Sequence, residues 1–273
     1  MASPTRRMIP LWRDRCLLRD REVLNLRDRD VLSLPDAGGE PVFLGLDGDA
    51  PVFAVDLSAL TEADALATAA ADTAVDLRQL VGRLANAEAA VLGYARGLCH
   101  WHRSQRYCGA CGAPTRPSDG GHVRLCTACP RQHFPRIEPA VITLVEAPDD
   151  PARCLLARHA GAGPDSYALL AGFVEVGEDL EDAVRREVAE EAGVIVDEVT
   201  YQASQAWPFP AGLMVGFRAR AASDTTHVDG VELIEVRWFT RAELRERRRA
   251  RGHLGNLDSI DNLLIESWLD MED

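Results

Sequence analysis

The stretch Gly172–Val194 reads GFVEVGEDLEDAVRREVAEEAGV and crowds carboxylates onto one short segment. Asp179 suits a helix N-cap and Gly193 a stop, which predicts a helix over 180–192. Wound at about 100° per residue, Leu180, Val184 and Val188 fall within about 40° of a common direction. Glu191 then lies about 20° from the centre of that stripe, and Glu187 about 60° from it, with Glu190 at the flank. Ionised carboxylates leaning toward a packed face cost several kcal/mol or titrate to neutrality. A divalent cation resolves that conflict, since Mg²⁺ takes oxygen ligands and brings substrate phosphates with it. The alternative is a helix whose glutamates are solvated or paired with Arg185 and Arg186.

A second constellation consists of Cys108, Cys111, Cys126 and Cys129, two C-x2-C knuckles with fourteen residues between them. Thiolates at this spacing build a closed tetrahedral zinc site, structural because no coordination position is left open. Gly109 and Gly112 fall where the chain must turn its amides toward sulfur. Two disulfides or a redox pair are the competing readings, and both fit less well in a chain with no visible leader. Cys16, Cys99 and Cys154 are scattered and read as small buried hydrophobes. Arg116, Arg124 and Arg131 flank the knuckles. A zinc ribbon can touch nucleic acid through such residues, but solvated arginines are the better reading. The lone histidines, among them His100, His102, His122 and His133, lack partners for a second metal site and read as structural.

The 273 residues include 30 basic and 43 acidic side chains, for a net charge of −13, and no lysine. That absence excludes Schiff-base enzymes, P-loops and protein kinases, each of which needs one. The acidic balance disfavours general binding of long nucleic acid. No apolar run approaches the ~18 residues of a membrane span, and the N-terminus shows no signal-peptide core. These features predict a soluble, cytoplasmic protein.

The elements that position the two constellations group into three segments. Residues 1–103 read as an α+β domain. Its strand-like runs are Arg21–Leu34 and Val42–Leu57, the latter broken at Asp47-Gly48-Asp49. An Ala-rich helix over Thr61–Ala74 follows, then a long helical pattern from Leu77 through Leu98. Residues 104–136 form the cysteine ribbon. Residues 137–273 alternate strands (Ala140–Glu146, Cys154–Arg158, Tyr167–Ala171, Val199–Ala203, Leu213–Arg220, Glu235–Phe239) with the glutamate helix and a closing helix, Ser259–Leu269. This order predicts an α/β class, an α/β/α sandwich on a mixed sheet. Six arginines lie between Arg241 and Arg251. They read first as a solvated face and second as a patch for substrate phosphates or an RNA body.

Taken together, Gly172, Glu178, Arg186-Glu187, Val188, Glu190-Glu191 and Gly193-Val194 match every fixed position of the Nudix box, so this chain resembles a Nudix hydrolase. The segment Ser204–Met214, SQAWPFPAGLM, is similar to the SQPWPFPxSLM of the NADH pyrophosphatase family, which also carries a zinc ribbon ahead of its box. The resemblance covers nearly the whole chain. It implies hydrolysis of NADH or NAD to AMP and a nicotinamide mononucleotide, removal of NAD caps from RNA 5′ ends in bacterial members, and a homodimer. It implies two or three Mg²⁺ or Mn²⁺ ions held by Glu187 and Glu191, with Glu190 in support and the Ala171 carbonyl as a further ligand. Glu232 is the implied acid outside the box, with Glu235 its competitor, while Glu178 pairs with Arg186 to brace the loop.

By the same resemblance Phe173 stacks on a ring, and Gln205, Ala206, Trp207, Pro208, Phe209, Pro210, Ala211 and Gly212 shape the nucleotide pocket. The prolines stiffen this aromatic platform; a core-packing turn is the competing reading. Departures occur at Ala206 for proline, Ala211 for glutamine, Gly212 for serine, Phe134 for tyrosine, and Asp261-Asn262 in the tail motif. Asp261 places a charge near the expected adenosine edge. These changes leave the pyrophosphate chemistry intact and bear on substrate preference. ADP-ribose or another nucleotide conjugate is the alternative substrate, and a non-catalytic nucleotide sensor the alternative class.

Overall fold

Short apolar strands separated by tight turns build the first part of the protein, here described from a computed structural model. It describes residues 6–24, 26–27, 40–228, 230–251 and 258–271. Strands β1 (Arg7–Trp12) and β2 (Arg15–Arg19) form a hairpin whose turn residues, Arg13 and Asp14, both have positive φ. β3 (Glu22–Val23), β4 (Leu26–Arg27), β5 (Val42–Asp47), β6 (Ala50–Asp56) and β7 (Thr73–Asp76) complete a sheet ordered β3-β2-β1-β6-β5, with β4 on β1 and β7 on β2. Of the run expected over Arg21–Leu34, residue 25 and residues 28 to 34 lie outside the described residues.

The helical expectations for this region need two corrections. Helix α1 covers only Glu62–Ala69, capped by Thr61, and ends on Ala70 in the left-handed conformation. The chain then enters β7 instead of continuing to Ala74. The pattern beginning at Leu77 is two 3₁₀ turns, Leu77–Gln79 and Val81–Arg83, before α2 (Asn86–Ser104) begins. Leu84 and Ala85 have extended backbone (ψ 152° and 145°), which breaks the helical ladder. Three-residue apolar spacing satisfies a 3₁₀ turn as well as an α-helix, so Leu77 and Leu80 are buried although no long helix carries them.

The ribbon strands β8 (Thr115–Ser118), β9 (Val123–Cys126) and β10 (Gln132–His133) pair in the order β10-β9-β8. Arg124 is not solvated. Its guanidinium is buried, donates to the Thr115 hydroxyl and carbonyl (both 2.8 Å), and meets His102 Nδ1 at 2.7 Å.

The remaining strands form the second sheet: β11 (Glu138–Glu146), β12 (Arg153–His159), β13 (Leu170–Phe173), β14 (Val196–Trp207), β15 (Gly212–Ala221) and β16 (Leu233–Thr240). Their order is β14-β15-β11-β12-β16, mixed because β11 runs parallel to β15. On its other edge β11 is shared: β13 pairs with Ala140–Thr143 and β12 with Val145–Glu146. β11 is apolar on both faces, as a central strand must be. Val141 and Val145 join one core with Ala183, Val184, Val188 and Ala192 of α3 (Leu180–Ala192). Ile142 and Leu144 join the opposite core with Leu244 of α4 (Arg241–Arg251) and Ile260, Leu264, Ile265 and Trp268 of α5 (Ile260–Leu269). The result is the expected α/β/α sandwich.

Contacts divide the chain into two compact units, Met1–Ile137 with Pro208–Ala211, and Glu138–Trp207 with Gly212–Asp273. The arginines of α4 are mostly committed within the second unit. Arg241 is buried beneath the Trp268 ring, Arg245 donates to the Leu269 carbonyl at the end of α5 (2.7 Å), and Arg248 pairs with Glu266. A cation at that helix terminus also meets the dipole favourably. Among the described residues, no helix is long and apolar enough to cross a membrane.

The glutamate helix depends on its cap: the Asp179 carboxylate accepts from the Asp182 N–H at 2.9 Å. Asp179→Ala should lower unfolding free energy by about 1 kcal/mol, read as a lower denaturation midpoint at unchanged zinc content.

Candidate active site

The loop–helix–loop that carries the glutamates is placed by two short-range devices. Asp179 starts α3, and Gly193 stops it in the left-handed conformation (φ 67°). One turn of α3 separates Glu187 from Glu191, and β13 runs alongside with Ala171, Gly172 and Phe173. Gly172 leaves no room for a side chain: a Cβ there would lie 1.9 Å from Glu187 Cδ. The glycine thus makes the cradle in which the Glu187 carboxylate sits.

Arg186 is the hub of the site. It forks onto both oxygens of Glu178 (2.8 Å each) and donates to Glu187 (2.8 Å), to Glu190 (3.1 Å) and to the Phe173 carbonyl (2.9 Å). Glu178 also accepts from the Glu175 N–H. The Arg186 guanidinium, followed by that amide, holds the Glu178 carboxyl down at about 2. Arg186 is in turn held above its ordinary value, first by Glu178 and then by Glu187. Such charge-assisted forks fix both partners in one geometry.

Glu191 is the opposite case. Burial pushes its carboxyl up to about 8, helped by the charges of Glu187, Glu232 and Glu190 and opposed by the Ala171 amide. Its Oε2 is buried with no hydrogen-bond partner. An orphaned carboxylate oxygen among like charges is what a divalent cation would satisfy, so the donor set fits such an ion. The glutamates form a looser group than the cysteines: among the described residues, only the four sulfurs gather within 4.8 Å of one another.

The two acids in competition outside the box now separate. Glu235 is committed to Arg158 (2.8 and 3.1 Å), which together with Tyr167 keeps its carboxyl below the usual range. Glu232 instead contributes to the field on Glu191. The family resemblance favours Glu232 by position; the commitment of Glu235 is not legible, because Arg158 lies on another strand.

At the start of α5, Gln205 and Asp261 are occupied by backbone. Gln205 donates to the Asp258 carbonyl (2.6 Å) and accepts from the Ile260 N–H (2.8 Å). The Asp261 carboxylate accepts from the Leu169 N–H (2.9 Å), and burial raises its pKa. Ala206, Trp207 and Gly212 close the β14–β15 hairpin, where Trp207 pairs with Gly212 and a Cβ on Gly212 would meet the Trp207 carbonyl at 3.0 Å. Pro208, Phe209, Pro210 and Ala211 form the turn and belong to the first unit, with a cis Phe209–Pro210 bond. Phe134 in the first unit and Phe173 in the second are both exposed rings.

The cysteine centre is assembled as its spacing requires. Sulfur–sulfur distances of 3.5, 3.6 and 3.8 Å are far beyond a disulfide and close to the ~3.8 Å edge of a tetrahedral zinc–thiolate site. Backbone amides, that of Ala110 foremost, lower the Cys108 thiol to about 7, and the Ala128 amide lowers Cys126 to about 6. Zinc binds cysteine as the thiolate.

Family models match along the chain in the same order. An NADH pyrophosphatase-like rudimentary NUDIX domain covers residues 5–101, the NADH pyrophosphatase zinc ribbon covers 103–134, and a NUDIX domain covers 136–261. The NAD-capped RNA hydrolase NudC of Deinococcus radiodurans is 41% identical over 209 residues, 76% of this chain and 72% of that protein. The protein of the same name from Mycobacterium tuberculosis is 40% identical over 241 residues, 84% of this chain and 75% of its own length. A NUDIX hydrolase structure from Nitrosomonas europaea aligns with TM-score 0.42 at 27% identity, covering 51% of this chain and 80% of that one. The chain belongs to the Nudix hydrolases, in the family that joins an NADH pyrophosphatase-like domain and its zinc ribbon to the hydrolase domain. The ribbon cysteines are its structural zinc ligands, and the Nudix site is of the kind that works with a divalent metal.

Two expectations follow from this geometry. Gly172→Ala should displace Glu187 and cut hydrolysis on the order of a hundredfold, with zinc content and far-ultraviolet circular dichroism unchanged. Glu178 has a depressed folded-state pKa, so its stabilisation is complete above its ordinary value of 4.5 and is lost as pH falls toward about 2. Denaturant midpoints of wild type and Glu178→Gln should therefore differ at pH 6 and converge as pH falls through that window.

Proposed function

We propose that this protein hydrolyses the pyrophosphate of NADH and NAD, releasing AMP and the reduced or oxidised nicotinamide mononucleotide, and removes NAD caps from RNA 5′ ends. The relatives' names and the NADH pyrophosphatase-like domains support this reading, and the buried, unpartnered Oε2 of Glu191 carries it. The ion is Mg²⁺ or Mn²⁺, held by Glu187, Glu191 and Glu232 with the Ala171 carbonyl, and with Glu190 in support. Bound there, it supplies positive charge to the pyrophosphate oxygens and acidity to the attacking water. Arg186 holds Glu187 and Glu190 in place, and Glu178 fixes Arg186. Phe173 offers its exposed ring for stacking, and the Trp207–Gly212 segment shapes the pocket. In the net reaction, the water oxygen joins one phosphorus, the bridging oxygen leaves with the other phosphate, and the water's protons are shared out between the products. The working form is a cytoplasmic homodimer.

Purified protein with Mg²⁺ or Mn²⁺ should be offered NADH, NAD, ADP-ribose and NAD-capped RNA, and the products identified by mass spectrometry. The expected outcome is AMP plus reduced nicotinamide mononucleotide from NADH, abolished in Glu191→Gln. Preferential cleavage of ADP-ribose would replace this substrate assignment. Nucleotide binding without turnover of any substrate would make the protein a sensor.

A further inference from the structure

The turn Pro208–Ala211 interrupts the β14–β15 hairpin, yet its side chains and carbonyls are held by helix α2. Arg96, buried on that helix, donates to the Pro208 carbonyl and reaches the Pro210 carbonyl at 3.5 Å. Its Nε is fixed on the Asp14 carbonyl at 3.1 Å, so the fork is anchored from behind. The Phe209 ring packs against the first unit's core, with the guanidiniums of Arg78 and Arg96 over it at 4.3 and 4.9 Å. One turn of α2 before Gly97, Gly93 lets the chain approach: a Cβ there would meet Pro208 Cγ at 3.1 Å. Five donors in a planar fork suit two carbonyls pointing at one helix face, and the cation also gains from the aromatic face.

We infer that Arg96 is a positioning residue for the turn Pro208–Ala211, fixing the conformation of the segment that follows Trp207. The inference rests on the reading that this segment shapes the dinucleotide pocket. The sequence shows no sign of this role, because nothing local sets Arg96 apart from Arg103, the other arginine of α2. Phe209 is a wedge packed on the first unit's core, not a free platform.

The test uses the full-length zinc-loaded protein as wild type, Arg96→Ala, Arg96→Lys and Gly93→Ala. Hydrogen–deuterium exchange reads the turn, and steady-state kinetics on NADH at saturating Mg²⁺ reads recognition. In Arg96→Ala, exchange across 207–213 should quicken about tenfold while α3 is unchanged. KM should rise about tenfold with kcat within about twofold, the signature of lost binding and not of lost chemistry. Lysine, with one point charge, should recover part of the KM. Gly93→Ala presses on the turn without removing Arg96, and alanine is the better helix former. It should raise KM while leaving the melting temperature unchanged or higher, which separates positioning from general destabilisation. Unchanged exchange in Arg96→Ala, or a fall in kcat with KM constant, overturns the inference. So does a Gly93→Ala protein with wild-type KM. If the wild type turns over no dinucleotide, the proposed function fails, and the exchange experiment alone still decides whether Arg96 holds the turn.

Discussion

Three carboxylates, Glu187, Glu190 and Glu191, must share one face of one helix, and their mutual repulsion is the constraint around which the hydrolase domain is arranged. Arg186 meets part of it, spreading a single positive charge over Glu187, Glu190 and the bracing Glu178. Glu191 receives no such partner and is left to burial and like charges, which hold its proton well above the usual carboxylate range. Glu187 thus has an arginine partner, whereas the Oε2 of Glu191 has none and is the oxygen that would gain most from a cation. One oxygen of Glu191 is left unpartnered while Arg186 holds its neighbours Glu187 and Glu190.

That arrangement depends on the backbone as much as on the charges. β11 gives up half of one edge to β13, and this brings Ala171, Gly172 and Phe173 alongside α3. A side chain at 172 would occupy the space of the Glu187 carboxylate. The Phe173 carbonyl, freed at the end of its strand, takes the last Arg186 donor. Behind the helix, Val184 and Val188 are fully packed, so the carboxylates cannot relieve their repulsion by rotating the helix. Packing supplies the rigidity, and the site converts it into a fixed array of oxygens.

Much of this was legible in the sequence because the signals are local. The α3 boundaries follow from Asp179 and Gly193, the ribbon from cysteine spacing, and the lean of Glu187 and Glu191 from helical periodicity. What was not legible depends on residues distant in the chain. Leu77 to Leu98 keeps an apolar period through two 3₁₀ turns and an extended break, since burial at three-residue steps does not say which backbone carries it. The commitment of Glu235 to Arg158 spans two strands and leaves no local signal. Gln205 and Asp261 look available for a ligand until Ile260 and Leu169 supply the N–H groups that occupy them.

The absence of lysine takes on a physical meaning in this light. Arg96, Arg124, Arg186 and Arg245 each reach carbonyls, hydroxyls or several carboxylates at once, work that depends on a planar fork of donors and that a single ammonium does poorly. The arginines described here are largely committed to holding loops, helix ends and the turn after Trp207. A chain with 43 acidic side chains against 30 arginines would gain from a divalent cation when it meets a pyrophosphate. The unpartnered Oε2 of Glu191 is where such an ion would find a ligand.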